Sequence, residues 1–275
     1  MKKVLYWILA VIITLAAVIY QRKTGPTYDK KITVNIDDTT YDFKLIRSHG
    51  GKQDCKIELH IPDNQVSGIV EYKKFPTNDD WATIEMTRET ENLTAELPHL
   101  PPAGKYEYYI TLVKNGKNYE LNEGTPVVIR YKGAVPPAIL IPHILLMFIA
   151  MLLGNLAGIL AIFKETKFKF YTTITLITLF FGGLIFGPWV QYYAFDEAWA
   201  GVPFAWDLTD NKTLVAFLFW VLAFAVNRKK ERPVFTIVAS VVMLLVYSIP
   251  HSMYGSQLDP ETGEIIQGWI QLFFI

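Results

Sequence analysis

Apolar and polar positions change rhythm along this chain. Residues 4–20, 137–163, 170–193, 209–227 and 234–249 are near-continuous apolar runs. Between the first two lies a long stretch, residues 28–132, in which apolar positions alternate with polar ones. A bilayer core about 30 Å thick needs roughly 20 apolar residues as a helix, with a range of about 17 to 25. Each run therefore predicts a transmembrane helix, because hydrocarbon offers no partner to an unpaired backbone group. Residues 1–23 are expected to form an N-terminal anchor. Lys2 and Lys3 precede its apolar run, and no small-x-small cleavage pattern separates that run from Gln21-Arg22-Lys23. Pro136 and Pro137 suit the first turn of the second helix. Thr209 and Asp210 are the expected N-caps of the fourth, with Lys212 placed to snorkel. Pro250 ends the fifth.

In the alternating stretch, Ile32, Val34 and Ile36 share one side of a strand, as do Cys55, Ile57, Leu59 and Ile61. Leu93, Ala95 and Leu97 repeat the pattern. Period-two alternation broken by short turns predicts an antiparallel sandwich. Asn115-Gly116 predicts a type I′ hairpin, which needs positive φ at both central positions. The segment Leu97-Pro98-His99-Leu100-Pro101-Pro102-Ala103-Gly104-Lys105-Tyr106-Glu107-Tyr108 resembles the E–F corner of immunoglobulin-like and fibronectin type III sandwiches. That resemblance implies that Tyr106 or Tyr108 hydrogen-bonds back across the corner. The expected fold class is a membrane all-α bundle of five transmembrane helices plus an all-β immunoglobulin-like sandwich domain.

Charge sets the expected orientation. Lys164-Glu165-Thr166-Lys167-Phe168-Lys169 and Arg228-Lys229-Lys230-Glu231-Arg232 are short and basic. Asp196, Glu197, Asp207 and Asp210 follow the third run, and Asp259, Glu261 and Glu264 follow the fifth. Short loops rich in Lys and Arg stay cytoplasmic. The N-terminus is then inside, residues 28–132 outside, the bundle of residues 136–250 in the bilayer, and a C-terminal tail of residues 251–275 outside. In a bacterial inner membrane, the outside is the periplasm. The outer loop, residues 195–212, is aromatic as well as acidic, and Trp and Tyr prefer the headgroup region. It is expected to lie in the interface. Trp189, Trp199, Trp206, Asp207 and Asp210 are candidate contacts there. Over the whole chain, 26 Lys and Arg balance 26 Asp and Glu, which removes the basic field that nucleic-acid binding needs.

Candidate chemistry is sparse. The lone cysteine, Cys55, excludes an intrachain disulfide and a CxxC zinc site, and its place in an alternating run marks a core thiol. Walker, GxSxG, HExxH and dinucleotide-binding motifs are absent. Asp37-Asp38 and Asn78-Asp79-Asp80 read as turns rather than calcium loops. One constellation stands out. His143, Met147 and Met151 fall on one stripe of the second helix, and Met243, Tyr247 and His251 on one stripe of the fifth and its outer end. Both histidines follow Ile-Pro. Ionisable residues in or beside spans are functional candidates. Two histidines at one depth suit a b-type haem, and His with Met suits copper as Cu(I). The simpler alternative is interfacial histidine with methionine as filling. The small-residue pairs Gly154/Gly158 and Gly183/Gly187 are expected to pack helices within the bundle.

Three further runs carry a second resemblance. They are Gly187-Pro188-Trp189-Val190-Gln191-Tyr192-Tyr193-Ala194-Phe195, Asp207-Leu208-Thr209-Asp210-Asn211-Lys212-Thr213 and Ile249-Pro250-His251-Ser252-Met253-Tyr254-Gly255-Ser256. They resemble a family of uncharacterised bacterial inner-membrane proteins with an immunoglobulin-like or fibronectin type III-like periplasmic domain. The resemblance implies architecture and location and carries over no catalytic residue. The expectation is a non-enzymatic accessory, assembly or scaffold subunit whose periplasmic sandwich contacts a protein partner. One alternative is a small membrane redox or metal-handling protein binding haem or copper through His143 and His251. A transporter component is the other.

Overall fold

The computed structural model describes residues 2–251, 255–260 and 262–267. The helices are α1 (Lys2–Thr24), α2 (Pro137–Ile162), α3 (Phe168–Leu179), α4 (Gly187–Phe195), α5 (Leu208–Lys229) and α6 (Pro233–Ser248). A π-helical segment, Phe180–Phe186, joins α3 to α4, so one apolar rod runs from Phe168 to Phe195. α1, α2, this rod and α5 are each long and apolar enough to cross a membrane. α6 is apolar but has only 16 residues. The outward faces of these helices expose large apolar side chains, among them Ile12, Leu145, Phe181, Leu218 and Leu245. Water-soluble surfaces avoid apolar expanses of this kind.

The π segment has a local cause. Pro188 has no N–H, and its ring crowds the carbonyl four residues back. The bonding shifts by one residue, and the Gly187 N–H donates to the Gly182 carbonyl. Such π turns often mark functional positions.

α2 lies at the centre, with its residues from Leu156 to Ala161 all buried. A Cβ on Gly154 would fall 2.9 Å from the Met243 sulfur and 3.0 Å from the Trp220 ring. The glycine thus lets α5 and α6 close onto α2 around Trp220, which is fully buried. Gly158 gives the same access to Ser240 of α6, and Gly183 faces Thr213 of α5. Both small-residue pairs serve packing inside the bundle, as expected. α1 docks through a polar link: Asn155 Nδ2 donates to Thr14 Oγ1 at 2.9 Å, and that hydroxyl donates to the Ala10 carbonyl. The turn between α5 and α6 is held by Asn227, whose Oδ1 accepts from the Arg232 N–H at 2.7 Å.

One expectation is corrected at α5. Its N-cap is Asp207, not Thr209 or Asp210: Asp207 Oδ1 accepts from the backbone N–H of both Thr209 and Asp210, at 2.7 and 3.1 Å. A carboxylate one turn earlier satisfies two first-turn donors at once. It also frees Asp210 for another bond.

The strands are β1 (Lys30–Ile36), β2 (Thr39–Leu45), β3 (Ser48–Gly50), β4 (Cys55–His60), β5 (Ser67–Lys74), β6 (Ala82–Glu85), β7 (Thr87–Glu89), β8 (Asn92–Leu97), β9 (Lys105–Lys114), β10 (Lys117–Glu120), β11 (Val127–Lys132), β12 (Ser256–Leu258) and β13 (Ile265–Gln267). One sheet runs β3-β11-β9-β5-β6 with β10 on β9, a second runs β4-β8-β7, and β1 pairs with β2. The alternating pattern is realised directly. Cys55, Ile57 and Leu59 point inward on β4, and Tyr106, Tyr108, Ile110 and Leu112 point inward on β9. Side chains from these sheets form one core, which includes Leu93, Leu97, Ile129 and Tyr131. Asn115 and Gly116 have φ of 51° and 74° between β9 and β10, as a type I′ turn requires.

The corner before β9 departs from expectation. The Tyr108 hydroxyl donates to the Ile46 carbonyl at 2.9 Å, on the chain between β2 and β3, and not back across the corner. Tyr106 instead meets Tyr72 and Tyr131 edge-on. The corner is closed by backbone bonds, the Ala103 N–H donating to Tyr131 and the Tyr131 N–H to Gly104. No side chain is then required to close it.

The chain divides into two compact units. One comprises Thr27–Ala134 with Ser256–Ile266, and the other holds the helices, with Val135–Gly255 as its main part. The segment after the last helix is therefore not a separate tail. The Leu258 N–H donates to the Ala103 carbonyl at 3.2 Å, Lys105 Nζ donates to Gln257 Oε1 at 2.8 Å, and Arg130 donates to the Ser256 carbonyl.

Candidate functional site

Within the helical unit, a cavity of about 110 Å³ is bounded by Gln21 of α1, by His143, Met147 and Met151 of α2, and by Tyr247 and His251 at the end of α6. Ile144 and Phe148 supply apolar wall. Five of the six residues singled out from the two helical stripes thus meet at one place. On α2 helical spacing is the reason, since positions four apart lie one above another on the same face, whereas His251 follows the end of α6.

The sixth, Met243, turns away. Its sulfur accepts a hydrogen bond from Trp220 Nε1 at 3.1 Å inside the bundle core. Its stripe crosses from cavity wall to core within one turn.

His143 is held in a defined way. Its Nδ1 lies 2.9 Å from the Gly182 carbonyl in the π segment. A carbonyl oxygen only accepts, so Nδ1 carries a proton, and in the neutral ring Nε2 keeps its lone pair. Met147 is fixed too, its sulfur 3.5 Å from the Tyr247 hydroxyl, which donates to it. His251 lies beyond α6 and is exposed.

The Ile249 carbonyl, at the C-cap of α6, receives two donors. Lys212 Nζ reaches it at 2.6 Å and Gln21 Nε2 at 3.5 Å. A cation at a helix C-terminus is favourable, because the last carbonyls are unpaired and carry partial negative charge. Lys212 therefore does not snorkel freely but is buried against this carbonyl.

The outer-loop candidates separate by role. Trp189 and Trp206 are exposed. Trp199 is half-buried, with Nε1 donating to the Val202 carbonyl at 3.2 Å. Asp207 and Asp210 are buried. Asp210 accepts from the Ala200 N–H at 2.6 Å, and Asn211 from the Val202 N–H at 2.8 Å, so these side chains pin the loop to the start of α5.

In the β unit, titratable groups are committed to structure. Lys114 bridges Asp37 and Asp63 at 2.7 and 2.9 Å, which raises its own pKa and lowers that of Asp37, while the Gln65 N–H and then Lys114 lower that of Asp63. Burial pushes the Cys55 thiol up to about 11. Burial, with Arg130 nearby, brings Lys105 down to about 8. Among the described residues, no group of three or more His, Cys, Asp or Glu is placed to hold a metal ion.

Three contributors went unread in the sequence: Gln21, the Gly182 carbonyl and the Lys212–Ile249 contact. Gln21 had a signal, being the first polar residue after the first apolar run. Gly182 had an indirect one in Pro188, six residues on.

No known protein family matches the chain, and no curated protein does. Among solved structures, it is similar to the chicken CNTN1 FN1–FN3 domains at 14% identity and a TM-score of 0.23. The match covers 37% of this chain and spans 42% of that one.

Proposed function

We propose that this chain is a five-span membrane protein that holds an immunoglobulin-like sandwich and its own C-terminal strands on one face of the bilayer. Its role there is that of a non-enzymatic accessory or scaffold subunit whose sandwich binds a partner protein. The observation that carries the five-span arrangement is the bonding of Ser256, Gln257 and Leu258 to Arg130, Lys105 and Ala103. Residues so bonded lie on the same side of a membrane. An even number of crossings must then separate residue 134 from residue 256. α2, the rod from Phe168 to Phe195 and α5 supply three, so α6 is the fourth. Its 16 residues span about 24 Å as a helix. That is short of a full bilayer core, and local thinning accommodates it at modest cost. α1 adds the fifth crossing, retained through its Thr14–Asn155 bond.

The basic loops at 164–169 and 228–232 favour an orientation with the sandwich outside. In a bacterium, this face is periplasmic. Exposed Trp189 and Trp206 suit the headgroup layer at that face. Recognition rather than chemistry is supported by the state of the β unit's reactive groups. Its thiol is buried with a raised pKa, and its Lys114 is locked between two aspartates. Mild-detergent purification of the full chain, with and without the β unit cross-linked in cells, tests the partner. The reading expects a stoichiometric protein captured through residues 28–132, and a chain recovered alone in both conditions contradicts it.

A further inference from the structure

We propose that the cavity at His143 is a soft-metal site that holds one Cu(I) ion, with His143 Nε2 and the sulfurs of Met147 and Met151 as donors and His251 closing it beyond α6. The site stands on α1, α2 and α6 and is independent of which side of the bilayer the β unit occupies.

Four observations converge. First, the Gly182 carbonyl fixes the proton of His143 on Nδ1. Metal-binding histidines almost always donate their second nitrogen in this way, which orients the ring and raises the basicity of the ligating nitrogen. The π segment puts that carbonyl in place. Second, Met147 and Met151 bound the same cavity on the same helix face. The Met147 sulfur has two lone pairs, and the Tyr247 hydroxyl engages one. Thioether and imidazole together form a soft donor set that selects Cu(I) over harder ions.

Third, size discriminates between cofactors. A volume of about 110 Å³ is well below the roughly 300 Å³ at which small-molecule pockets begin. An ion fits within this volume, whereas a haem exceeds it. Fourth, charge discriminates between ions. The polar lining side chains are neutral and include no carboxylate, and the Lys212 ammonium sits on the Ile249 carbonyl two residues from His251. A monovalent ion beside that charge costs less than a divalent one. Zinc sites draw on Cys, His and carboxylates, and here only two histidines qualify.

The test uses full-length protein in detergent, without oxygen and under ascorbate. Cu(I) is titrated against the chelator bicinchoninate, and X-ray absorption reads the ligands. One Cu(I) per chain is expected, with both sulfur and nitrogen in its coordination shell. The paired substitution Met147→Leu and Met151→Leu conserves volume, so the fold survives it. It is expected to remove the sulfur signal and weaken binding by more than 100-fold, beyond the roughly 10- to 100-fold typical of losing an outer-shell partner. His143→Ala is expected to do the same to the nitrogen signal. An unchanged thermal melt shows that each variant is folded. Absence of stoichiometric Cu(I), a shell of nitrogen and oxygen alone, or unchanged affinity in the folded Met147→Leu, Met151→Leu variant overturns the proposal.

Discussion

Leu258 donates its backbone N–H to the carbonyl of Ala103 at 3.2 Å, and this bond joins β12, after the last helix, to the corner before β9. The two residues are separated in sequence by every helix from α2 to α6. Their meeting constrains how many times the chain crosses a bilayer between them. A short C-terminal strand therefore informs the reading of the shortest helix.

The same contact area makes a pH prediction. Lys105 has its pKa lowered to about 8 by burial near Arg130, against 10.5 in an unfolded chain. Between these values, the unfolded state binds more protons than the folded one, so stability rises with pH across that window. The limiting slope for one such group is about 1.4 kcal/mol per pH unit. Hydrogen exchange of β9 amides in the intact protein should show protection increasing from pH 8 to pH 9.5 relative to Lys105→Met. Parallel profiles for the two proteins would remove Lys105 as the cause.

The Thr14–Asn155 bond predicts that α1 belongs to the bundle. Asn155→Ala leaves Thr14 without its interhelical partner. Interhelical hydrogen bonds in membranes contribute about 0.6 kcal/mol on average, up to roughly 1.7. Unfolding in mixed micelles should show a loss in this range. The companion Thr14→Ala should add almost nothing to it in the double variant, and full additivity would mean that the two side chains do not interact.

Gly154 is predicted to resist replacement by any larger residue. Any Cβ there meets Met243 and Trp220 at about van der Waals overlap. Gly154→Val should cost roughly 1 to 3 kcal/mol, as overpacking does. Gly51→Ala probes a different effect, since nothing crowds that position and only its φ of 105° opposes a side chain. A Gly154→Val protein that melts like the parent would contradict the packing described around Trp220.

Cys55 should be silent to maleimides in the folded protein. It is fully buried, and its thiol pKa of about 11 leaves little thiolate at neutral pH. Labelling should appear only when the β unit unfolds, in step with loss of its circular dichroism. Rapid labelling of native protein would show that β4 opens far below global unfolding.

The parts of the fold that were legible depend on local periodicity. The inward residues of β4 and β9, the Asn115-Gly116 turn and the long apolar helices each carry their signal within a few residues. So does the face shared by His143, Met147 and Met151. What escaped reading depends on contacts between distant segments. Asp207 caps α5 because it can satisfy two amides there, while Asp210 is drawn off to Ala200. Met243 has the spacing of a cavity residue, yet Trp220 claims its sulfur. The Tyr108 hydroxyl finds Ile46 rather than its own corner because backbone bonds already close that corner. The return of residues 256–258 to the β unit has almost no sequence signal, since β12 is three residues long and Ser256 and Gln257 are polar.

Cysteine accessibility tests the central claim most directly. In a Cys55→Ala background, Asn78→Cys reports the β unit, Thr262→Cys the C-terminal segment, and Thr166→Cys and Lys230→Cys the two basic loops. A membrane-impermeant maleimide is applied to intact cells with that membrane accessible and unbroken, before and after lysis. The account predicts that positions 78 and 262 label together before lysis, and positions 166 and 230 only after it. Labelling of 230 and 262 from the same side would mean that α6 does not cross, and the five-span arrangement would fall.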